Sequence, residues 1–108
     1  MAFLLIYITH PDEQTAERLS NTLVEQKHVA CANCFPITSA YWWQGAVQRE
    51  GEWVSLVKTP ESKWQDVVSY INEHHPYEVP CIMRMSVSAN EAYENWIYSS
   101  VSLRILAA

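Results

Sequence analysis

The spacing of apolar residues changes several times along this chain, and each change predicts a new element. A short apolar run at residues 3–8 is typical of a strand that is buried on both faces. Ala16, Leu19 and Leu23 then recur with helical spacing, which predicts an amphipathic helix. Pro11 suits the first position of this helix, and the pattern continues to about Gln26.

The middle of the chain predicts one long β-hairpin. Residues 29–43 show no apolar residues at helical spacing, so they are predicted to form the first arm. Gln44 and Gly45 suit a two-residue turn, and residues 47–59 form the second arm. Gly51 is a candidate bulge in the second arm. Each arm has roughly thirteen residues, whereas an ordinary strand has about five or six. Arms of this length must project beyond a small sheet or pair with another chain, which indicates assembly.

The second half of the chain predicts a helix, a strand and a short final helix. Four apolar residues have helical spacing: Trp64, Val67, Val68 and Ile71. We expect Thr59 to cap this helix and Pro76 to end it near His74. Residues 79–87 have the composition of a strand. Residues 88–91 have the form of a capping box before a helix.

This order of elements predicts an α+β fold, a ferredoxin-like βαββαβ sandwich with a long central hairpin and an extra C-terminal helix. Such a fold has a four-stranded antiparallel sheet with both main helices on one face. The length of 108 residues suits a single domain, residues 1–108, and the 49% content of hydrophobic residues suits a packed core.

Charge and cysteine content narrow the function classes. The net charge is −5, without any run of Lys or Arg, so neither nucleic acid nor an anionic membrane is an expected partner. The apolar N-terminal stretch is too short to span a bilayer. Three cysteines do not make a disulfide framework, and we expect reduced thiols in a cytoplasmic protein.

Cys31 and Cys34 have the C-x-x-C spacing of a redox pair or of half a zinc site. Their flanks predict a strand, in which side chains three residues apart point to opposite faces and lie about 10 Å apart. No second cysteine pair or histidine pair completes a zinc site. The spacing therefore predicts two independent thiols, and Cys34 is expected to be a small buried residue.

Other candidate residues have both a structural and a functional interpretation. His74 and His75 either complement a helix C-terminus or serve as a metal ligand or part of a ligand pocket. Glu50 and Glu52 share a strand face, where charged residues are usually solvated. Three tryptophans, Trp42, Trp43 and Trp53, favour a subunit interface over a platform for sugars or bases. The chain has two glycines, no nucleophile elbow and no phosphate-binding loop, so no enzymatic activity is predicted.

Four segments together resemble the CutA family of divalent-cation tolerance proteins, over residues 3 to about 100. They are Ala30-Cys31-Ala32-Asn33, Tyr41-x-Trp43-x-Gly45, Glu50 with Lys58-Thr59, and His75-Pro76-Tyr77-x-x-Pro80. The resemblance implies a homotrimer in which the long hairpin arms extend the sheets of neighbouring subunits. It also implies tolerance of copper and other divalent ions, with no established reaction.

The same resemblance implies candidate site residues. Five of them are expected to line clefts between subunits: Trp43, Glu50, Lys58, His75 and Tyr77. Cys31 matches a family cysteine associated with copper, and the expected cofactor is a divalent metal ion, copper foremost. Cys34 departs from the family pattern. The alternative hypothesis is a sensor for an anionic metabolite, or an uncharacterised enzyme, that uses Lys58 in the same clefts.

Overall fold

The computed structural model of the chain describes residues 1–102, which form one antiparallel sheet with three α-helices. The strands are β1 (Phe3–His10), β2 (Cys31–Trp43), β3 (Ala46–Thr59) and β4 (Ile82–Val87). The helices are α1 (Glu13–Glu25), α2 (Trp64–His74) and α3 (Glu91–Ser100). The strand order β2-β3-β1-β4 confirms the predicted ferredoxin-like α+β fold. Residues 103–108 of the predicted domain lie outside the described residues.

The core forms between the sheet and the layer of α1 and α2. Alternate residues of β1 point into this layer, and the fully buried side chains of the two helices pack against them. The central members are Leu4, Ile6, Ile8, Leu19, Leu23, Val67 and Ile71. The helical spacing seen in the sequence therefore marks the two faces that cover the sheet.

The hairpin of β2 and β3 is closed by two residues in left-handed conformation, Gln44 at φ 52° and Gly45 at φ 82°. This is the expected two-residue turn. The predicted bulge at Gly51 is wrong, because Gly51 pairs with Thr38 in an unbroken register. Trp53 lies at the base of the hairpin, far from Trp42 and Trp43, and pairs with His10 of β1.

The hairpin projects from the molecule, because β1 pairs with β3 only as far as Trp53. Residues 37–52 continue beyond that point as a two-stranded ribbon. The described chain measures 53 × 27 × 20 Å, and its radius of gyration of 15.0 Å exceeds the about 13 Å typical of a compact chain of this length. The ribbon thus offers backbone edges that no other strand of the described chain covers.

Several predicted boundaries are corrected by hydrogen bonds that sequence does not reveal. The helix α1 begins at Glu13, not at Pro11: Asp12 is the N-cap, and its Oδ1 accepts a hydrogen bond from the Thr15 N–H at 2.8 Å. Thr59 does not cap α2, because it ends β3 and its hydroxyl donates to the His28 carbonyl at 2.7 Å. A single 3-10 turn, Glu61–Lys63, precedes α2 instead.

Two further boundaries differ near the end of the chain. The fourth strand begins at Ile82, not at residue 79: Pro80 has no N–H for a ladder, and Val79 is largely exposed. The capping box does not form at α3. Asn90 is the N-cap without a side-chain bond, and Glu94 accepts the Ala89 N–H instead.

The second face of the sheet is only partly covered. The helix α3 packs over one end of it, in a cluster with Phe3, Ala30 and Val101. Four apolar or aromatic side chains on β1 and β4 remain outside this cover, and we call them the open face: Leu5, Tyr7, Met83 and Met85. Met83 is 51% exposed and Met85 47% exposed, an unusual exposure for two neighbouring thioethers on one sheet face.

Candidate functional site

A groove with a volume of about 940 Å³ lies between the projecting hairpin and the loop that joins α2 to β4. We call it the hairpin groove. Four of its lining residues are aromatic: Tyr7, Tyr41, Trp43 and Tyr77. Three are acidic: Glu50, Glu52 and Glu78. Glu50 and Glu52 reach it together because alternate residues of β3 share a face.

Two phenol groups hold two of these carboxylates in place. The Tyr77 hydroxyl donates to Glu52 Oε2 at 2.5 Å, and the Tyr41 hydroxyl donates to Glu50 Oε1. The hydrogen bond to Glu50 raises the pKa of Tyr41 to about 12. Burial, and then the bond to Glu52, raises the pKa of Tyr77. Both phenols therefore remain protonated and act as hydrogen-bond donors at neutral pH.

The two acids differ in burial, which corrects the expectation that both are simply solvated. Glu50 is exposed, as expected, whereas Glu52 is only 7% exposed. A buried carboxylate is costly unless it is hydrogen-bonded. The bond from Tyr77 is thus important for the fold as well as for the groove.

Replacing Tyr77 with Phe is expected to reduce the free energy of unfolding by about 2 kcal/mol, because the buried Glu52 carboxylate loses its donor. Tyr41→Phe is the matched control, since it removes the same kind of bond from the exposed Glu50. We expect a clearly smaller loss there. Chemical denaturation of both variants measures the difference, and equal losses would contradict the assigned role of Tyr77.

His75 supports the groove from behind. Its Nε2 lies 2.9 Å from the Thr9 carbonyl oxygen, and its Nδ1 accepts the Tyr77 N–H at 3.0 Å. These partners select the neutral tautomer with the proton on Nε2. Burial lowers the pKa of His75. The side chain therefore fixes the loop that carries Tyr77, and it does not itself line the groove.

His10 lies behind the groove, against His75, and the sequence interpretation missed it. Its ring is fully buried and stacks on His75 with centroids 5.1 Å apart. Nε2 lies 2.8 Å from the Ser55 hydroxyl oxygen, and Nδ1 has no hydrogen-bond partner among residues 1–102. Its burial could have been predicted from the alternation of side chains along β1, which puts residue 10 on the same buried face as Ile6 and Ile8.

Lys58 and Cys31 lie together at the other end of the sheet. The Lys58 ammonium donates to the Tyr93 hydroxyl at 3.2 Å, and Cys31 Sγ lies 3.6 Å from the same oxygen. Lys58 follows Glu50 by eight residues on β3, a separation of roughly 26 Å at about 3.3 Å per residue. Within one protomer the five predicted cleft residues thus form two groups. Trp43, Glu50, Tyr77 and the supporting His75 lie in one, and Lys58 lies in the other, beside the predicted metal ligand Cys31.

The two thiols of the C-x-x-C stretch point to opposite faces of the sheet, as predicted. Cys31 contacts Tyr93 on α3, and Cys34 contacts the Ser20 hydroxyl on α1 at 3.6 Å. Cys34 is half-buried, not fully buried as expected. Both thiols are free, so the spacing carries no disulfide here.

Residues 1–102 of one protomer do not contain a complete metal site. Among residues 1–102 no group of three or more His, Cys, Asp or Glu side chains is placed to hold an ion. The cationic Lys58 beside Cys31 also opposes a second cation there. In the groove, burial and then the charge of Glu52 raise the pKa of the Cys81 thiol. The donor set of a single copy does not fit a bound metal.

The fold and the groove define a small α+β sandwich protein that offers a ligand-sized groove at the base of a projecting hairpin. Residues 4–100 match the family model described as CutA1 divalent ion tolerance protein, and the chain belongs to that family.

Relatives and solved structures agree with this assignment. The Divalent-cation tolerance protein CutA of Thermotoga maritima is 36% identical over 99 residues, which cover 91% of this chain and 98% of the relative. The CutA of Pyrococcus horikoshii is 37% identical over 95 residues, covering 87% and 93%. The structure of the periplasmic divalent cation tolerance protein CutA from Archaeoglobus fulgidus has a TM-score of 0.89 at 35% identity, covering 94% of this chain and 100% of that chain.

The names of the relatives describe tolerance of divalent cations and no chemical reaction. Their compartments differ, since the Archaeoglobus fulgidus protein is described as periplasmic and a relative in Arabidopsis thaliana as chloroplastic. In residues 1–102 of this chain, no helix has both the length and the apolar content needed to cross a membrane.

Proposed function

We propose that this protein is a cytoplasmic homotrimer that binds divalent metal ions, copper foremost, and contributes to tolerance of them without catalysing a reaction. The main support for the proposed assembly is the open face, on which Met83 and Met85 are about half exposed beside Leu5 and Tyr7. Apolar faces of this kind in soluble proteins are usually covered by another chain. Three copies and a cytoplasmic location are what the sequence resemblance and the free thiols imply.

The projecting ribbon of residues 37–52 supports the same proposal. Its backbone edges are available for pairing with the sheet of another copy, by strand addition. Such pairing brings the hairpin groove of one copy to a neighbouring subunit. The two groups of predicted cleft residues, which are far apart in one protomer, then belong to a shared cleft.

We place copper at Cys31. A thiolate is a soft ligand and selects Cu(I), while imidazole and carboxylate groups suit Cu(II). Because residues 1–102 of one protomer lack a complete donor set, and because the cationic Lys58 lies beside Cys31, the proposal requires anionic ligands from a second copy. Assembly and metal binding are therefore linked in this proposal.

A copper titration with wild type and Cys31→Ser tests the proposal, together with the mass of the assembly. We expect wild-type protein to bind copper with at least about tenfold higher affinity than Cys31→Ser, since a thiolate ligand is lost. Cys34→Ser is the matched control, because it removes a thiol from the opposite sheet face. Wild type should sediment at three times 12.5 kDa.

The copper proposal fails if Cys31→Ser and wild type bind copper equally, or if Cys34→Ser weakens binding as much. The assembly proposal fails if wild type sediments as a single protomer. The two measurements are independent, so each part of the proposal can be rejected alone.

The hypothesis of an anionic metabolite stays a prediction. Lys58 is half-buried and oriented by its bond to Tyr93, which suits an anion-binding group. In one protomer, however, Lys58 lies outside the hairpin groove. An anion bound in the groove therefore needs a cation from another copy.

A further inference from the structure

One wall of the hairpin groove is formed by residues 76–80, which lie between α2 and β4 and which we call the groove loop. None of its residues is buried. In the described part of the chain, both hydrogen bonds of the groove loop are made by Tyr77: its N–H donates to His75 Nδ1, and its hydroxyl donates to Glu52. A segment with so few buried contacts opens at a lower free-energy cost than the core. These two bonds therefore decide whether the wall stays in place.

The bond from the Tyr77 N–H can form only while His75 is neutral. Nε2 of His75 lies 2.9 Å from the Thr9 carbonyl oxygen and carries the ring proton, so Nδ1 is free to accept from the Tyr77 N–H at 3.0 Å. In a protonated imidazole both ring nitrogens are donors. A proton on Nδ1 would place two N–H groups against each other. The groove loop would then keep one of its two hydrogen bonds.

The groups around His75 act on this proton in both directions. Burial lowers the pKa of His75, so the neutral ring and the held loop stabilise each other. The Glu52 carboxylate on β3 favours the protonated ring, and Arg18 on α1 opposes it. The ring of His10 on β1 stacks on His75 with centroids 5.1 Å apart, so a proton on either ring opposes one on the other. The Tyr77 phenol, from the loop itself, stays neutral. The balance favours the neutral ring of His75 near pH 7.

We propose that the groove loop is a pH-sensitive switch: protonation of His75 at Nδ1 breaks its bond with the Tyr77 N–H and releases the loop, while the sheet and the helices remain folded. The loop is fully held above pH 6.5 and is released as the pH falls through the lowered pKa of His75 in the folded protein. Release removes one wall of the hairpin groove, so access to the groove depends on pH. The switch needs neither copper nor a second copy, and it can fail while the proposed function stands.

NMR spectroscopy of the labelled protein between about pH 7.5 and about pH 5, in buffer with a metal chelator, tests the switch. The first measurement is the protection factor of the Tyr77 amide, which corrects its hydrogen-exchange rate for the direct effect of pH. We expect a fall of at least about tenfold, because each pH unit below the pKa of His75 can change the ratio of held to released loop by up to about tenfold. The amides of Ile6 and Ile8, in the buried strand β1, should keep their protection.

A second measurement follows the position of the loop. The rings of His75 and Tyr77 have centroids 4.8 Å apart, and the nuclear Overhauser effect between them should weaken in the same pH step as the Tyr77 amide loses protection. Nitrogen chemical shifts of the His75 ring report its protonation directly. In wild type the ring titration and the release of the loop should have the same midpoint.

The variants His75→Gln and His74→Gln form a matched pair. Gln does not titrate, so His75→Gln should lose the pH step whether its amide holds the loop at every pH or leaves it free at every pH. His74 is the neighbouring histidine, with a side chain 42% exposed and Nδ1 3.0 Å from the Tyr70 carbonyl oxygen. His74→Gln should therefore keep the pH step.

Four results overturn the proposal. The Tyr77 amide keeps its protection while the His75 ring becomes protonated, or His75→Gln retains the pH step, or His74→Gln abolishes it. In the fourth, Ile6 and Ile8 lose protection together with Tyr77, which means that the whole protein unfolds in this range. If His75→Gln does not fold, the midpoints of the ring titration and of the loop release in wild type decide alone, and different midpoints reject the switch.

Discussion

Lowering the pH from about 7.5 to about 4 is expected to reduce the free energy of unfolding by about 3 kcal/mol through His10 alone. In the folded protein the pKa of His10 is lowered from 6.5 to about 4, chiefly by burial and then by the charge of His75. The gap between these two values, at about 1.36 kcal/mol per pH unit, gives the expected loss.

The direction follows from proton binding. The unfolded chain binds the His10 proton more tightly than the folded protein, so acid favours unfolding. The stability is fully present above pH 6.5, decreases as the pH falls toward 4, and changes no further through this group below that. The charge of Asp12 raises the pKa of His10 and the charge of Arg18 lowers it, and both effects are smaller. Burial also lowers the pKa of His75, which acts in the same direction.

Denaturant unfolding of wild type, His10→Gln and His74→Gln across this pH range measures the effect. Gln cannot titrate, and its amide can still hydrogen-bond Ser55, so His10→Gln should lose most of the extra pH dependence. His74 is partly exposed and serves as the control, which should follow wild type. If His10→Gln loses stability with acid as steeply as wild type, the buried histidine is not the cause.

The order of elements could be predicted because the apolar period changes cleanly along the chain. Leu19 and Leu23 share one helix face and Ile6 and Ile8 one strand face, and these faces meet in the core. The cap of the second helix could not be predicted. The Thr59 hydroxyl bonds the His28 carbonyl, a partner 31 residues away, and sequence contains no sign of that choice.

In the candidate site too, features set by local strand geometry could be predicted, whereas contacts between residues far apart in the sequence could not. That Glu50 and Glu52 share a face follows from strand geometry, but the burial of Glu52 depends on Tyr77, which is 25 residues away. His10 was missed because Pro11 suggested that the strand ends earlier than it does. The resemblance grouped Lys58 with Glu50, although their places on one strand already put them far apart within a protomer.

Replacing Met83 with Glu is expected to convert the assembled protein into single protomers at concentrations where wild type remains assembled. Met83 lies on the open face, 51% exposed in one protomer, opposite Tyr7 of β1. A carboxylate there stays solvated in a single protomer, so the protomer itself should fold. In an assembly that covers the open face, the charge is buried without a partner, at a cost of about 3–5 kcal/mol for each copy.

Sedimentation velocity over a dilution series measures this change. The Met83→Glu protein should sediment near 12.5 kDa, with a dissociation constant raised at least about a hundredfold. Val24→Glu is the matched control, because Val24 is a 38% exposed apolar residue on α1, away from the open face. It introduces the same charge change and should leave the assembly intact. If Met83→Glu assembles like wild type, the open face is not the surface that joins the copies, and the hairpin edges must provide the contact instead.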